Sequence, residues 1–424
     1  MAEKSLVERD QAVIWHPYTQ MHKAAPPIPI VRGEGVYLIA EDGTKFIDAI
    51  SSWWVNIHGH SHPYIAEKVA EQLRTLEHVI FAGFTHPSAV ELAERLIAIL
   101  PNNQKRVFYS DNGSTAVEVA LKMCLQYWSN VEQPRTKVLA FHGSYHGDTF
   151  GAMAVSARSS FTRPFEKLLF EVEFIDLPNA TNISALKEQL SDLAPELAAF
   201  IFEPLVQGAS GMNMYEAKYL DELLEHCKKE GVLTIADEVM TGFGRTGKLF
   251  ASNHLYEQPD VMCFSKGITG GTMALGLTTC TSRIYDAFLS EDKMKTLFHG
   301  HSFTANPVTC SAALASLDLL LKPETLNDIE RIADQHRQFA LSISGHQKIR
   351  NLRQTGTILA VEWETGNNTS YFNSLRDDLY NFFLGEGIIL RPLGNIVYIM
   401  PPYCITNAQL GCIYKQIIKA LEKF

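Results

Sequence analysis

From about residue 60 to residue 265, short apolar runs alternate with segments of helical period: KRVFYS, KVLAF, LAAFIFEP, GVLTIADEV and DVMCFSK each stand between helical patterns. These runs are continuously apolar and rich in β-branched or aromatic residues, as strands buried on both faces are. Strands alternating with crossover helices predict an α/β domain built on a mainly parallel sheet. Open sheets of that kind bind ligands outside the carboxyl ends of their strands. The residues that close each run are therefore the first candidates for chemistry.

The two ends of the chain read differently. VYLIA and KFIDAIS predict short strands around the turn Glu41-Asp42-Gly43. After about residue 306 a helix through NPVTCSAALASLDLLL leads into a smaller α+β region, with ILAVEWE and IVYIMPP as strands and a closing helix. The expected division is an N-terminal arm with part of a small domain over 1–58, a large domain carrying the binding site over 59–305, and the rest of the small domain over 306–424. A length of 424 residues suffices for two such cores. The net charge of −10 argues against a nucleic-acid or anionic-membrane surface. No apolar run approaches the roughly 18 residues of a membrane helix. Seven scattered cysteines without zinc-ligand spacing predict free thiols, no metal and a reducing, cytoplasmic setting. WHPYTQMH, residues 15–22, crowds aromatics and histidines into a terminus that lacks the pattern of a secretory signal. Solvated tails are poor in aromatics, so this stretch is expected to lie against the folded body.

GVLTIADEVMTGFGRTG followed by PDVMCFSKGITGG carries the central chemistry. Asp237 and Glu238 close one strand and Lys266 closes the next, so a parallel sheet brings an acid and a lysine to one edge. A plain ion pair is one reading. The glycines Gly267, Gly270 and Gly271 favour the close approach of a bulky ligand instead. A pocket lysine can bond an aldehyde as a Schiff base, and a nearby carboxylate can hold a pyridine nitrogen protonated, which is the pairing pyridoxal phosphate requires. VFYSDNGSTAVEVALKMCLQYW supplies a strand, then Asn112-Gly113-Ser114, then a helix in which Val117, Ala120, Leu121, Cys124 and Trp128 keep the helical period. The N–H groups of such a helix start can hold a phosphate, although the tripeptide alone is an ordinary cap. In HGSYHGDT, Tyr145 is either a ring able to stack on a flat cofactor or a simple loop residue.

Gly242 to Gly247 formally match the dinucleotide fingerprint GxGxxG, with Asp260 further on. That fingerprint belongs at the turn opening a helix in a first βαβ unit. Here it lies deep in the chain, and KLFASN after it has no helical run, so a nicotinamide oxidoreductase is the weaker reading. A fold kept only as a binding scaffold would not need to retain both Asp237 and Lys266.

IADEVMTGFGRTG with PDVMCFSKGITGG resembles the signature of the class III pyridoxal-phosphate aminotransferases. The likeness runs on through WHPYTQM, SSWWVNIHGH, SYHGDTFGAM, VQGASGM and RPLGNIVYIMPPY. It implies the aspartate-aminotransferase-type fold (fold type I), pyridoxal phosphate as cofactor and a homodimer with shared active sites. Within the family the sequence is most similar to members that pass an amino group from S-adenosylmethionine to 8-amino-7-oxononanoate in biotin biosynthesis. By that likeness Lys266 bears the cofactor and shuttles the proton, Asp237 pairs with the ring nitrogen, Gly113 and Ser114 bind the phosphate, and Tyr145 covers the ring. Gly300, His301 and Ser302 are implied to reach into the partner's site, with the Ser302 hydroxyl on the phosphate. Tyr18 and Trp53 are implied to line the acceptor pocket, and Arg391 to clamp the acceptor's carboxylate; without the likeness Arg391 reads as a solvated edge-strand residue. Arg245 is a further pocket candidate or a salt-bridge partner. His16, His22 and Trp54 are expected to pack or lie at the surface. His301-Ser302 resembles the version in lysine-using relatives, whereas His16-Pro17-Tyr18 favours S-adenosylmethionine. Lysine therefore stands as the alternative donor, and another class III ω-aminotransferase as the alternative enzyme.

Overall fold

The computed structural model describes residues 4–366, 369 and 371–424. Its centre is a seven-stranded sheet in the spatial order Gln104–Ser110, Gly276–Thr281, Val261–Phe264, Leu233–Asp237, Leu197–Phe202, Lys137–Phe141, Val172–Ile175. From Val261–Phe264 onward every neighbouring pair is parallel. Gly276–Thr281 runs antiparallel to both of its neighbours. The apolar-run pattern does not single that strand out, because its threonines dilute the run.

Alternate residues of the central strands enter two separate cores. Phe200, Phe202, Ala236 and Met262 pack with the helices Ile183–Leu193 and Ala217–Lys229 on one face, while Ile201, Ile235, Val261 and Cys263 pack under the helix Gly113–Asn130 on the other. Leu197–Phe202 and Leu233–Asp237 are buried at every position, which is why their sequences show no polar alternation. The helix stripe Val117, Ala120, Leu121, Cys124 and Trp128 is buried throughout. Each large aliphatic side chain so buried contributes about 1.5–3 kcal/mol.

Segments from both ends of the chain meet in a smaller sheet, where Ile388–Ile389 pairs in parallel with Lys45–Asp48 beside Tyr37–Ala40 and Ile30–Glu34. A separate antiparallel sheet joins Ile349–Thr355, Ile358–Trp363 and Ile396–Ile399. Among the described residues no helix is long and apolar enough to cross a membrane. At the N-terminus a helix over Leu6–Val13 is closed by a Ser5–Glu8 capping box, and His16 bonds Asp10 at 2.8 Å. The expectation for residues 15–22 holds for Tyr18, which folds onto the body. It does not hold for Trp15, which a single chain leaves 87 % exposed.

Candidate active site

Parallel pairing sets Asp237 opposite Cys263, so the two strands end together and Lys266 follows at the same edge. Asp237 and Lys266 line one cavity of about 840 Å³, within the size range of small-molecule sites. Lys266 has φ 47°, a left-handed conformation that non-glycine residues adopt mostly where the surroundings force it. Its Nζ stands 4.4 Å from the centre of the Trp54 ring. Burial pushes the ammonium down to about 8, against the upward pull of the Asp237 and Glu203 carboxylates. A lysine tuned in that way has a usable neutral fraction near pH 7.

Asp237 is 5 % exposed. Its Oδ2 bonds His146 Nδ1 at 2.7 Å, and its Oδ1 accepts from Val239 N at 3.0 Å. The buried imidazole of His146 leaves Nε2 without a hydrogen-bond partner among the described residues. Glu203 follows the strand Leu197–Phe202 and accepts from Tyr145 N and Gly208 N, each at 2.9 Å. Burial pushes the Glu203 carboxyl up to about 7, with His146 opposing the shift.

The helix Gly113–Asn130 begins at the cavity wall. Asn112 Oδ1 takes the N–H of Thr115 at 3.0 Å, while the N–H groups of Gly113 and Ser114 belong to the helix's first turn and have no acceptor within it. A Cβ at Gly113 would meet Val239 Cγ1 at 2.7 Å, so only glycine fits. Above this floor, the Tyr18 hydroxyl lies 3.4 Å from that of Tyr145 and donates to the Asp148 carboxylate. Burial, helped by Asp148, pushes the Tyr18 hydroxyl up to about 12. The Trp53 ring meets Tyr18 edge-on at 5.5 Å, and the Arg391 guanidinium stands 4.6 Å from the Trp53 ring centre. Phe161 packs against both Tyr18 and Tyr371, and both Phe161 and Tyr371 line the cavity.

All the predicted site residues line this cavity except Gly300, His301, Ser302 and the further candidate Arg245. The segment leading to Gly300, His301 and Ser302 runs along the helix Gly113–Asn130, where His299 Nδ1 meets Lys122 Nζ at 3.1 Å and Gln126 donates to Thr296 O. A single chain therefore does not bring them to its own site. Two expectations are corrected. Arg245 is neither a pocket residue nor a salt-bridge partner: it is 1 % exposed and donates to the carbonyl oxygens of Pro401, Trp54 and Asn56. Trp54 is buried as expected of a packing residue, yet its ring also lines the cavity under Lys266. As expected from the sequence, the GxGxxG match opens no α-helix. Its Phe243 packs into Phe250 and Phe264, so the segment offers no dinucleotide cradle. His146, Asp148, Glu203, Phe161 and Tyr371 were not read from the sequence. Glu203 alone carried a usable signal, an acid directly after an apolar strand.

The class III aminotransferase family model matches residues 18–421. An adenosylmethionine-8-amino-7-oxononanoate aminotransferase of Synechococcus elongatus is 48% identical over 422 residues, spanning 97% of this chain and 98% of its own. The crystal structure of the Methanocaldococcus jannaschii protein of the same name superposes with a TM-score of 0.95 at 34% identity, over 99% of this chain and 98% of that one. An amine transaminase from an uncultivated Pseudomonas species, solved in a PLP-bound form, gives a TM-score of 0.90 at 30% identity over 100% of this chain and 99% of that one. The α/β architecture is thus that of the fold-type I transaminases. With its lysine and acid at adjoining strand ends and a family match over nearly its whole length, this chain belongs to the class III aminotransferases.

Proposed function

We propose that this chain is a pyridoxal-phosphate-dependent transaminase that moves an amino group from S-adenosylmethionine to 8-amino-7-oxononanoate, giving 7,8-diaminononanoate in biotin biosynthesis. The observation that carries this reading is one cavity lined by Lys266, Asp237 and the helix start at Gly113 and Ser114, with Arg391 and Trp53 on its wall.

The residues fit the cofactor. The helix-start N–H groups of Gly113 and Ser114 suit a phosphate dianion. The closeness of Val239 to Gly113 keeps a side chain off that helix start. The buried Asp237 carboxylate, backed by His146, suits a protonated ring nitrogen. When bound, pyridoxal phosphate supplies an aldehyde for an amine to bond and a ring that absorbs the charge left by a departing proton. Lys266 Nζ removes and returns that proton, a task suited to an amine near 8. Asp237 keeps the ring nitrogen protonated. Glu203, through the Tyr145 N–H, fixes the loop that places Tyr145 in the cavity. One cavity serves both substrates, so donor and acceptor are expected to alternate in ping-pong fashion.

The acceptor is mostly aliphatic with a carboxylate at one end. Trp53, Phe161 and Tyr371 offer apolar wall, and the planar fork of Arg391 suits two parallel hydrogen bonds to the carboxylate. Arg391→Ala is expected to raise the acceptor KM about 10²-fold, with the donor half-reaction nearly unchanged and Arg391→Lys recovering only part. Equal losses in both half-reactions would move Arg391 off the acceptor.

Lys266 also makes uptake of pyridoxal phosphate by cofactor-free protein sensitive to pH. Only the neutral amine bonds the aldehyde. Burial lowers the ammonium toward about 8 while Asp237 and Glu203 raise it and Arg245 lowers it further. The loading rate should rise with pH and level off just above pH 8; a rise continuing to the ordinary lysine range would contradict this.

We further infer a homodimer in which Gly300, His301 and Ser302 enter the partner's cavity. Phe298 and Phe303, which flank them, and Trp15 are all largely exposed in one chain, and a second chain would cover them. Light scattering should give twice 47.4 kDa; an active monomer would contradict the shared site. The substrate assignment is tested by incubating holoenzyme and 8-amino-7-oxononanoate with S-adenosylmethionine or with lysine, and detecting product by mass spectrometry. Product with S-adenosylmethionine is expected. Product with lysine alone changes the donor, and product with neither removes this acceptor.

A further inference from the structure

Ser51, Ser52, Trp53 and Trp54 have φ values of 53°, 45°, 73° and 74°. They form one turn of left-handed helix, closed by Trp54 N donating to Ile50 O and Val55 N to Ser51 O, each at 2.9 Å. None of the four is glycine, and for L-residues this conformation crowds each Cβ against the following carbonyl. Such a run persists only where its surroundings over-determine it. What it achieves is visible at its end: the Trp53 ring lies beneath Arg391 and the Trp54 ring beneath Lys266.

The group that holds the turn lies outside the cavity. Asp48 is fully buried. Its Oδ1 accepts from Ile50 N at 3.2 Å, and its Oδ2 accepts from Ser52 Oγ at 2.7 Å and from His60 Nε2 at 2.9 Å. The other imidazole nitrogen of His60 meets Asn56 Nδ2 at 3.2 Å, and Asn56 Oδ1 takes Gly59 N at 2.7 Å. Asp48 therefore grips the entry to the turn and its second residue, and His60 ties that grip to the chain leaving it. Ser51 Oγ, donating to Met400 O at 2.8 Å, anchors the turn from the opposite side.

We propose that Asp48 and His60 are positioning residues for the substrate wall: they hold Ser51–Trp54 in its left-handed turn and so present Trp53 to Arg391 and Trp54 to Lys266. The kinetic consequence rests on the acceptor assignment above; the conformational one does not.

The test uses Asp48→Asn, alone and with Ser52→Gly, because glycine adopts φ near +45° without help. Asp48→Asn is expected to raise the acceptor KM about tenfold and to weaken the near-ultraviolet circular dichroism of the indoles in cofactor-free protein. Adding Ser52→Gly should return KM to within about threefold of wild type and restore the dichroism. A folded Asp48→Asn protein with unchanged dichroism and KM would overturn the proposal. So would losses that Ser52→Gly leaves uncorrected, since Asp48 would then support the fold at large. Should Asp48→Asn fail to fold, His60→Gln with and without Ser52→Gly takes its place, with the same pattern expected and the same results counting against it. If the wild-type enzyme ignores the acceptor, the functional reading fails, and the dichroism still decides the positioning role.

Discussion

Lys266→Ala is expected to leave a folded protein whose turnover has fallen about 10⁴-fold. The loss is large because one amine serves as both covalent anchor and proton carrier, and no other lysine lines the cavity among the described residues. The fold should tolerate the change. Lowering a lysine from 10.5 to about 8 means that the unfolded chain holds the proton more tightly than the folded one. At pH 7, below both values, that difference penalises the cofactor-free fold by about 3 kcal/mol. The penalty shrinks as pH rises through the window from about 8 to 10.5. Removing the amine removes the penalty, so cofactor-free Lys266→Ala should melt no lower than cofactor-free wild type at pH 7. Calorimetry beside a turnover assay checks both halves. A variant that is inactive because it has unfolded would leave the catalytic role of Lys266 unsupported.

Asp237→Asn should cost about 10³-fold in turnover. A unit charge at salt-bridge distance and an effective dielectric near 20 is worth about 4 kcal/mol, or about three pKa units on its partner. The asparagine keeps the size of the side chain and can still accept from Val239 N and meet His146. What it loses is the charge that favours a proton on the ring nitrogen. The deficit should lie in kcat and fall on both half-reactions alike, because both need the same ring. A loss of tenfold or less in single-turnover experiments would assign that proton to another group.

The reach of the sequence is clearest where chemistry coincides with a strand end. Asp237 and Lys266 were legible because continuous apolar runs announce buried parallel strands, and such strands deliver their last residues to one edge. The helix start at Gly113 was legible from strand, cap and helical period in succession. Side chains placed by loops were not. His146 and Asp148 lie in a segment without periodicity, and only the folded chain shows that His146 backs Asp237. Phe161 and Tyr371 come together across distant loops, which no local pattern reports. The turn at Ser51–Trp54 escaped for another reason: positive φ is usually announced by glycine, and here serine and tryptophan adopt it under the hold of Asp48. Arg245, offered as a pocket residue or a salt-bridge partner, is neither, because its guanidinium satisfies backbone carbonyls, a role no local pattern announces.

A single half-reaction decides whether amino transfer takes place at Lys266. Purified holoenzyme is mixed with S-adenosylmethionine in the absence of acceptor, the visible absorbance of the bound cofactor is followed, and Lys266→Ala is run beside it. The yellow band of the wild type is expected to disappear at a rate sufficient for turnover, and the variant to show no such change. A wild-type band that persists with S-adenosylmethionine, with lysine and with simple amines alike would contradict amino transfer at this site.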